Sequence, residues 1–202
     1  TQQLGNPSSL THDTVHAITE TAGGEIWAGT NGGGISVFDL QGQFVRAIKL
    51  GNANASMYAN KFVNSLFYQD ASSVWIGTVD NGLIRYDSAT SQFKHYLTDE
   101  TDQTSIASNT IKAMHQDTKQ TLWIATDKGL LIYNQDADNF TRFNHSPTNP
   151  YSLSSDYILS FFEDRHHMMW IGTITGVNRW DANTTTFNQF SSQTNPVLRN
   201  NN

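Results

Sequence analysis

Four tryptophans, Trp27, Trp75, Trp123 and Trp170, stand 48, 48 and 47 residues apart, and this spacing limits what the chain can fold into more than any other feature. Each opens a matching tetrapeptide: WAGT at Trp27, WIGT at Trp75, WIAT at Trp123 and WIGT at Trp170. A glycine and an apolar residue follow in Gly34-Ile35, Gly82-Leu83, Gly129-Leu130 and Gly176-Val177. Next come Phe38-Asp39, Tyr86-Asp87, Tyr133-Asn134 and Trp180-Asp181, then Phe44, Phe93, Phe140 and Phe187. Upstream, Val15, Val63, Ile111 and Ile158 hold one phase; Ile18, Leu66, Met114 and Phe161 hold a second. A period of this length means a repeat architecture in which neighbouring units bury one another's faces.

Each unit contains four short β-favouring runs between Gly, Asn, Asp and Ser clusters, without sustained helical periodicity. In the third unit the runs are about 111–116, 122–126, 130–134 and 139–143, designated A to D. Short polar connections between them suit antiparallel hairpins. The expected fold is all-β: a β-propeller segment of four four-stranded antiparallel blades, approximately 6–55, 56–103, 104–150 and 151–196, forming one segment over 1–202. Trp27, Trp75, Trp123 and Trp170 then fill the gaps between neighbouring sheets. Burying one such ring gains on the order of 4 to 6 kcal/mol gross. Gly29, Gly77 and Gly172, two positions on, keep the strand flat where another sheet approaches, with Ala125 in that place in the third unit.

The formal charge of -6, from 12 Lys and Arg against 18 Asp and Glu, offers no basic patch for nucleic acid or an anionic membrane. The apolar runs are too short to span a bilayer, and no secretory leader begins at Thr1. The absence of cysteine removes disulfides and thiolate chemistry. Asn6-Pro7-Ser8-Ser9-Leu10 matches Asn149-Pro150-Tyr151-Ser152-Leu153, and Asn195-Pro196-Val197-Leu198 starts the pattern again. The expectation is a piece of a larger propeller, standing as an open arc or as a self-paired ring with dimerisation as its consequence.

The order V-x-x-I, turn, L-W-I-G-T, G-L, Y-D, F resembles the two-component regulator propeller repeat, best in Ser152-Leu153 through Glu163-Asp164-Arg165 to Trp170-Ile171-Gly172-Thr173. The first copy departs from the family's acidic turn with Glu20-Thr21-Ala22-Gly23-Gly24, and the second has Met57-Tyr58 where Ser-Leu is usual. The resemblance implies a non-enzymatic, periplasmic or extracellular sensor segment of a longer, inner-membrane-anchored bacterial signalling protein. Any kinase or cyclase output then lies outside this chain. It also implies an unknown small molecule or oligosaccharide as ligand. A protein-interaction scaffold and a propeller lyase or hydrolase are the alternatives. The family motif supplies no catalytic residue to carry over.

A ligand site on this fold belongs where the B to C loops and the segments leading into strand A gather. The candidates there are His12, Asn31, Asn60, Asp80, Asn109, Asp127 and Asp156, accompanied by Asp13, Lys61, Asn81, Lys128 and Thr175. They differ between units while the frame repeats. His166-His167-Met168-Met169 has copper-like ligand chemistry, but adjacent strand residues point to opposite faces, so a decorated hairpin is the expectation. Asn31-Gly32-Gly33-Gly34 lacks the helix and Lys of a phosphate loop. Asp39, Asp87, Asn134 and Asp181 fall where Asp and Asn cap turns. No nucleophile elbow or HExxH motif is present, and no catalytic residue, metal ligand or cofactor is expected.

Overall fold

Each repeat folds as its alternation demands. In the computed structural model, which describes residues 9–50 and 62–191, sixteen strands form four sheets. Sheet I comprises β1 (Val15–Glu20), β2 (Ile26–Thr30), β3 (Ile35–Phe38) and β4 (Phe44–Ile48). Sheet II comprises β5 (Val63–Asp70), β6 (Ser73–Thr78), β7 (Leu83–Asp87) and β8 (Gln92–Tyr96). Sheet III comprises β9 (Ile111–Gln116), β10 (Leu122–Thr126), β11 (Leu130–Asn134) and β12 (Asn139–Phe143). Sheet IV comprises β13 (Ile158–Glu163), β14 (Met169–Thr173), β15 (Gly176–Asp181) and β16 (Thr186–Phe190). Every sheet is a meander in chain order, and the printed pairings are antiparallel. These are the four four-stranded blades of a β-propeller segment. The Asn-Pro matches and Met57-Tyr58 lie wholly or partly outside the described residues.

The chain divides into two compact units. The first holds sheets I and II with Asn109–Ile111, and the second holds residues 98–108 and the rest of sheets III and IV. Register gives each sheet a leading face that carries the motif tryptophan and a trailing face opposite. Trp27 pairs with Val37, and Val37 with Arg46, on the leading face of sheet I. Tyr68, Val74, Tyr86 and Phe93 form the corresponding row on the trailing face of sheet II. The two faces meet in a core of Trp27, Ile35, Val37, Val74, Ile76 and Tyr86, with the Trp27 and Tyr86 rings 5.5 Å apart. In the second unit Trp123 and Leu130 meet Met169, Ile171 and Phe187, and Trp123 lies edge-on to Trp180 at 5.6 Å. Gly29 belongs in this packing: a Cβ there would collide with Val63 of β5.

The hairpins explain the remaining motif residues. In the A to B turns Gly24, Gln120 and His167 take positive φ three residues before the tryptophan; in the C to D turns Gly42, Ser91, Asp138 and Thr185 do so two before the phenylalanine. Asp117 and Asp164 each serve twice. Asp164 Oδ1 accepts the His166 and Met168 amides at 2.8 and 3.1 Å while Oδ2 accepts the Trp170 indole N–H at 2.8 Å. Asp117 does the same for Lys119, Thr121 and Trp123. Gln69 takes the indole bond in sheet II at 2.7 Å. Thr21 stands in this place in sheet I, and Glu25 accepts from Trp27 instead at 3.1 Å. Asp39, Asp87 and Asp181 accept amides of their own turns, whereas Asn134 donates to Asn139 and Thr141.

Candidate functional site

The motif threonine builds the loop that presents the candidate residues. Thr30, Thr78, Thr126 and Thr173 donate their hydroxyls to the carbonyls of Gly34, Gly82, Gly129 and Gly176 at 2.9, 2.8, 2.6 and 3.0 Å. A buried hydroxyl held by a buried carbonyl fixes each B to C loop at both ends. Gly34 is required here, since its φ is +76° and a Cβ would meet the Ile48 carbonyl at 2.6 Å.

Within each unit, B to C loops hydrogen-bond to segments that lead into strand A. The Val79 amide donates to Phe62 at 3.0 Å, and the Gly82 amide to the Asn109 carbonyl at 2.8 Å. Asp80, at φ +70°, accepts from the Thr110 hydroxyl at 3.4 Å. The first unit therefore brings Asp80 and Asn109 together. In the second, the Gly129 amide donates to the Asp156 carbonyl at 2.7 Å, which sets the Asp127-containing loop beside Asp156. Asp156 Oδ1 is already committed, accepting the His145 amide at 2.6 Å and the Asn144 side-chain amide at 3.2 Å. Asp127 Oδ1 is shielded from solvent without a hydrogen-bond partner.

His12 Nδ1 accepts the Thr14 amide at 3.0 Å, and the Asn31 amide donates to the Thr14 carbonyl at 3.0 Å, so both belong to the first strand's local frame. Asn60 lies outside the described residues. Trp27, Trp75 and Trp123 are at most 1% exposed, whereas Trp170 is half-buried. In the His166–Met169 run the four side chains diverge. Met169 enters the core, and His167 Nδ1 lies 3.2 Å from Glu163 and 3.0 Å from the Thr118 hydroxyl.

Two features escaped the sequence reading. Strands β1, β5 and β13 share a register shift at His16, Asn64 and Leu159, each eleven residues before its tryptophan. The bulges sit at the loop end of the sheets, where they re-aim side chains. Asn64 there donates to the Ile111 carbonyl at 2.7 Å. In the second unit a polar groove of about 600 Å³ flanks the Asp127 loop, lined by Thr104, Lys128, Thr141, Arg142 and Asn144. Arg142 is held by the carbonyls of Asp102, Ser105 and Ile106. Beside it the hydroxyls of Thr101 and Thr104 hold the Asp99 and Asp102 carboxyls below the usual range. At the opposite loop end of sheets I and II, a cavity of about 330 Å³ contains Trp27, Tyr68 and Tyr86 with the Glu25–Arg46 pair. The bond from Arg46 lowers the Glu25 carboxyl and raises the guanidinium.

The arrangement is a repeated frame with unlike polar loops at one end of each sheet. The family model described as two component regulator propeller matches residues 152–175, which carry the fourth WIGT motif. The match covers that segment, and the other three units share its W-x-x-T pattern. No curated protein matches the chain. It is similar to crystal structures of the extracellular domain of BT4673 from B. thetaiotaomicron, assigned to a one component system in one and to a hybrid two component system in the other. The first is 28% identical with a TM-score of 0.68 over 90% of this chain, and the second 27% identical with 0.69 over 91%. The extracellular domain of BT3049, assigned to a hybrid two component system of B. thetaiotaomicron, shares the fold at 21% identity and a TM-score of 0.67 over 94% of this chain. The chain spans 22% of the BT4673 chains and 32% of the BT3049 chain.

Proposed function

We propose that this chain is a non-enzymatic, extracytoplasmic sensor segment that recognises a small hydroxyl-rich molecule, such as an oligosaccharide, through its B to C loops and the segments leading into strand A. The carrying observation is that polar side chains which differ from unit to unit, Asp80 in one and Asp127 and Lys128 in the other, stand on loops closed by the same Thr-to-Gly hydrogen bond, with Asn109 and Asp156 on the segments bonded to them. The likeness to the BT4673 extracellular domain supports the sensor role and a place outside the cytoplasm within a longer, membrane-anchored protein. The groove beside Asp127 supports a neutral polar ligand with an apolar face, because it combines amide, hydroxyl and cationic groups with the apolar walls of Ala107 and Phe140.

The experiment is titration calorimetry against a panel of neutral oligosaccharides, with wild type, Asp80→Ala, Asp127→Ala and Lys128→Ala. Saturable binding that is weakened tenfold or more by a loop substitution, with the thermal unfolding midpoint nearly unchanged, is the result expected. Binding to none of the panel overturns the oligosaccharide reading. Binding that all three variants retain overturns the loop site.

A further inference from the structure

The cavity of about 330 Å³ in the first unit lies at the end of sheets I and II away from the B to C loops, and the loop site leaves it unused. Its walls come from two adjacent sheets: Trp27 and Arg46 on the leading face of sheet I, Tyr68 and Tyr86 on the trailing face of sheet II, and Ala22 and Ala71 from the A to B turns.

The repeat shows why this space is open. The matching gap between sheets III and IV is closed by the Thr118 amide and hydroxyl, which donate to Glu163 at 2.9 and 2.5 Å, with His167 Nδ1 3.0 Å from the same hydroxyl. Thr118 stands five residues before Trp123, and Glu163 seven before Trp170. The same offsets give Ala22 and Tyr68 in the first unit. The polar side chain that reaches across is therefore lost, and a ring replaces the carboxylate that received it.

Beside this space sheet I places an ion pair that the other described sheets lack. Glu25 stands two residues before Trp27, and Arg46 ends the cross-strand row Trp27, Val37, Arg46. These two positions hold Ser73 and Lys94 in sheet II, Thr121 and Thr141 in sheet III, and Met168 and Asn188 in sheet IV. Arg46 spends two of its five N–H donors on Glu25, which also accepts from the Trp27 indole, so the pair keeps both donors and an acceptor position. The Arg46 and Glu25 side chains are 42% and 30% exposed, which leaves those groups reachable from solvent.

This combination selects a ligand class. Aromatic walls alone suit an organic cation, but the guanidinium opposes one, and the carboxylate opposes an anion. A neutral ring with adjacent hydroxyls fits both partners, because a hydroxyl donates and accepts: one accepts from Arg46 while its neighbour donates to Glu25, and the carbon face of the ring lies on Tyr68. The volume stands at the low end for small-molecule sites, which suits a single ring.

We propose that this cavity binds one neutral polyhydroxylated ring, a monosaccharide unit or a cyclitol, through the Glu25–Arg46 pair and Tyr68, as a second site independent of the B to C loops.

A heteronuclear NMR titration of the 202-residue chain tests it, with methyl α-D-glucoside, methyl α-D-galactoside, methyl α-D-mannoside and myo-inositol as probes and choline and benzoate as controls. At least one probe is expected to shift the assigned Trp27 indole N–H resonance saturably, with a dissociation constant on the order of 1 mM for a ligand of this size, while the Trp123 and Trp170 indoles stay unmoved. A glycoside response supports a monosaccharide unit, and an inositol response a cyclitol. Arg46→Met weakens binding about tenfold or more, because it removes the donors and keeps the stem. Ala71→Trp fills the cavity from an exposed turn position and abolishes binding with the thermal midpoint unchanged. Asp80→Ala and Asp127→Ala leave it intact. A Trp27 indole that no probe moves overturns the proposal, as does binding that Arg46→Met or Ala71→Trp leaves unchanged. Loss of binding in Asp80→Ala or Asp127→Ala assigns the ring to the loops and overturns the second site. A response to choline or benzoate alone overturns the ligand class.

Discussion

Trp123→Ala and Trp170→Ala remove the same residue from the same motif, yet the structure assigns them different costs. Trp123 is 1% exposed, packs against Trp180 at 5.6 Å, and lies in a core with Met169, Ile171 and Phe187. A buried indole removes roughly 150 to 250 Å² from water, worth on the order of 4 to 6 kcal/mol gross at about 25 cal/mol per Å². Partial collapse of the site brings the expected loss to about 3 to 5 kcal/mol. Among the described residues Trp170 packs within its own sheet, with Phe190 at 5.5 Å and the Arg179 guanidinium at 5.9 Å. With one ring face open, its removal should cost about 1 to 2 kcal/mol. The assay is urea unfolding in dilute solution followed by far-ultraviolet circular dichroism. The second unit's transition should move to lower urea with little change in slope. Equal costs for the two substitutions, or a Trp123→Ala loss below about 1 kcal/mol, would refute the face assignment.

Other consequences follow from single contacts. Asp117→Ala removes a turn cap and strands the Trp123 indole N–H, so a loss of about 2 kcal/mol is expected in the same titration, against about 0.5 to 1 kcal/mol for Thr21→Ala, which loses the Glu25 amide bond of its turn while Glu25 still serves the indole. Gly29→Ala drives a methyl into Val63 and should lower stability by about 1 to 3 kcal/mol, whereas Gly42→Ala meets no neighbouring atom and is limited to the cost of its positive φ. Stability should also fall in acid in two stages. Burial lowers the His95 pKa from the ordinary 6.5, so the unfolded chain binds more protons below that value and stability declines as pH drops through it. Glu25, lowered chiefly by Arg46, and Asp164, lowered chiefly by the Trp170 indole, contribute stability that is full above the ordinary carboxylate range and lost as pH falls through their depressed values. Thermal melts from pH 7 to pH 3 should show both stages, and His95→Gln should remove the first.

The strands were legible because every unit repeats the same alternation: the third unit's four runs coincide with β9 to β12 to the residue. The role of the Asp117 and Asp164 turn residues was visible only as part of a family motif. Its cause, one carboxylate shared between a hairpin and an indole, needs the two to be close in space at a separation of six residues. The motif threonine's loop bond is likewise a spatial fact behind a conspicuous letter. Candidate loops were located by topology, but their contents were not. Asp156 could not be told from Asp127 in sequence, because only the partners Asn144 and His145 reveal that one carboxylate is occupied. Phe162 and Phe161 look equivalent as letters; register alone packs Phe161 against the core and puts Phe162, 64% exposed, on the opposite face.

The most direct test of the face assignment is fluorine NMR on the 5-fluorotryptophan-labelled chain in dilute solution, comparing resonances in light and heavy water. With the Trp180 resonance identified by Trp180→Phe and set aside, the account predicts shifts that do not respond to the solvent for Trp27, Trp75 and Trp123 and a clear solvent-induced shift for Trp170. A Trp170 resonance as silent as the other three, or a solvent response from any of those three, would contradict it.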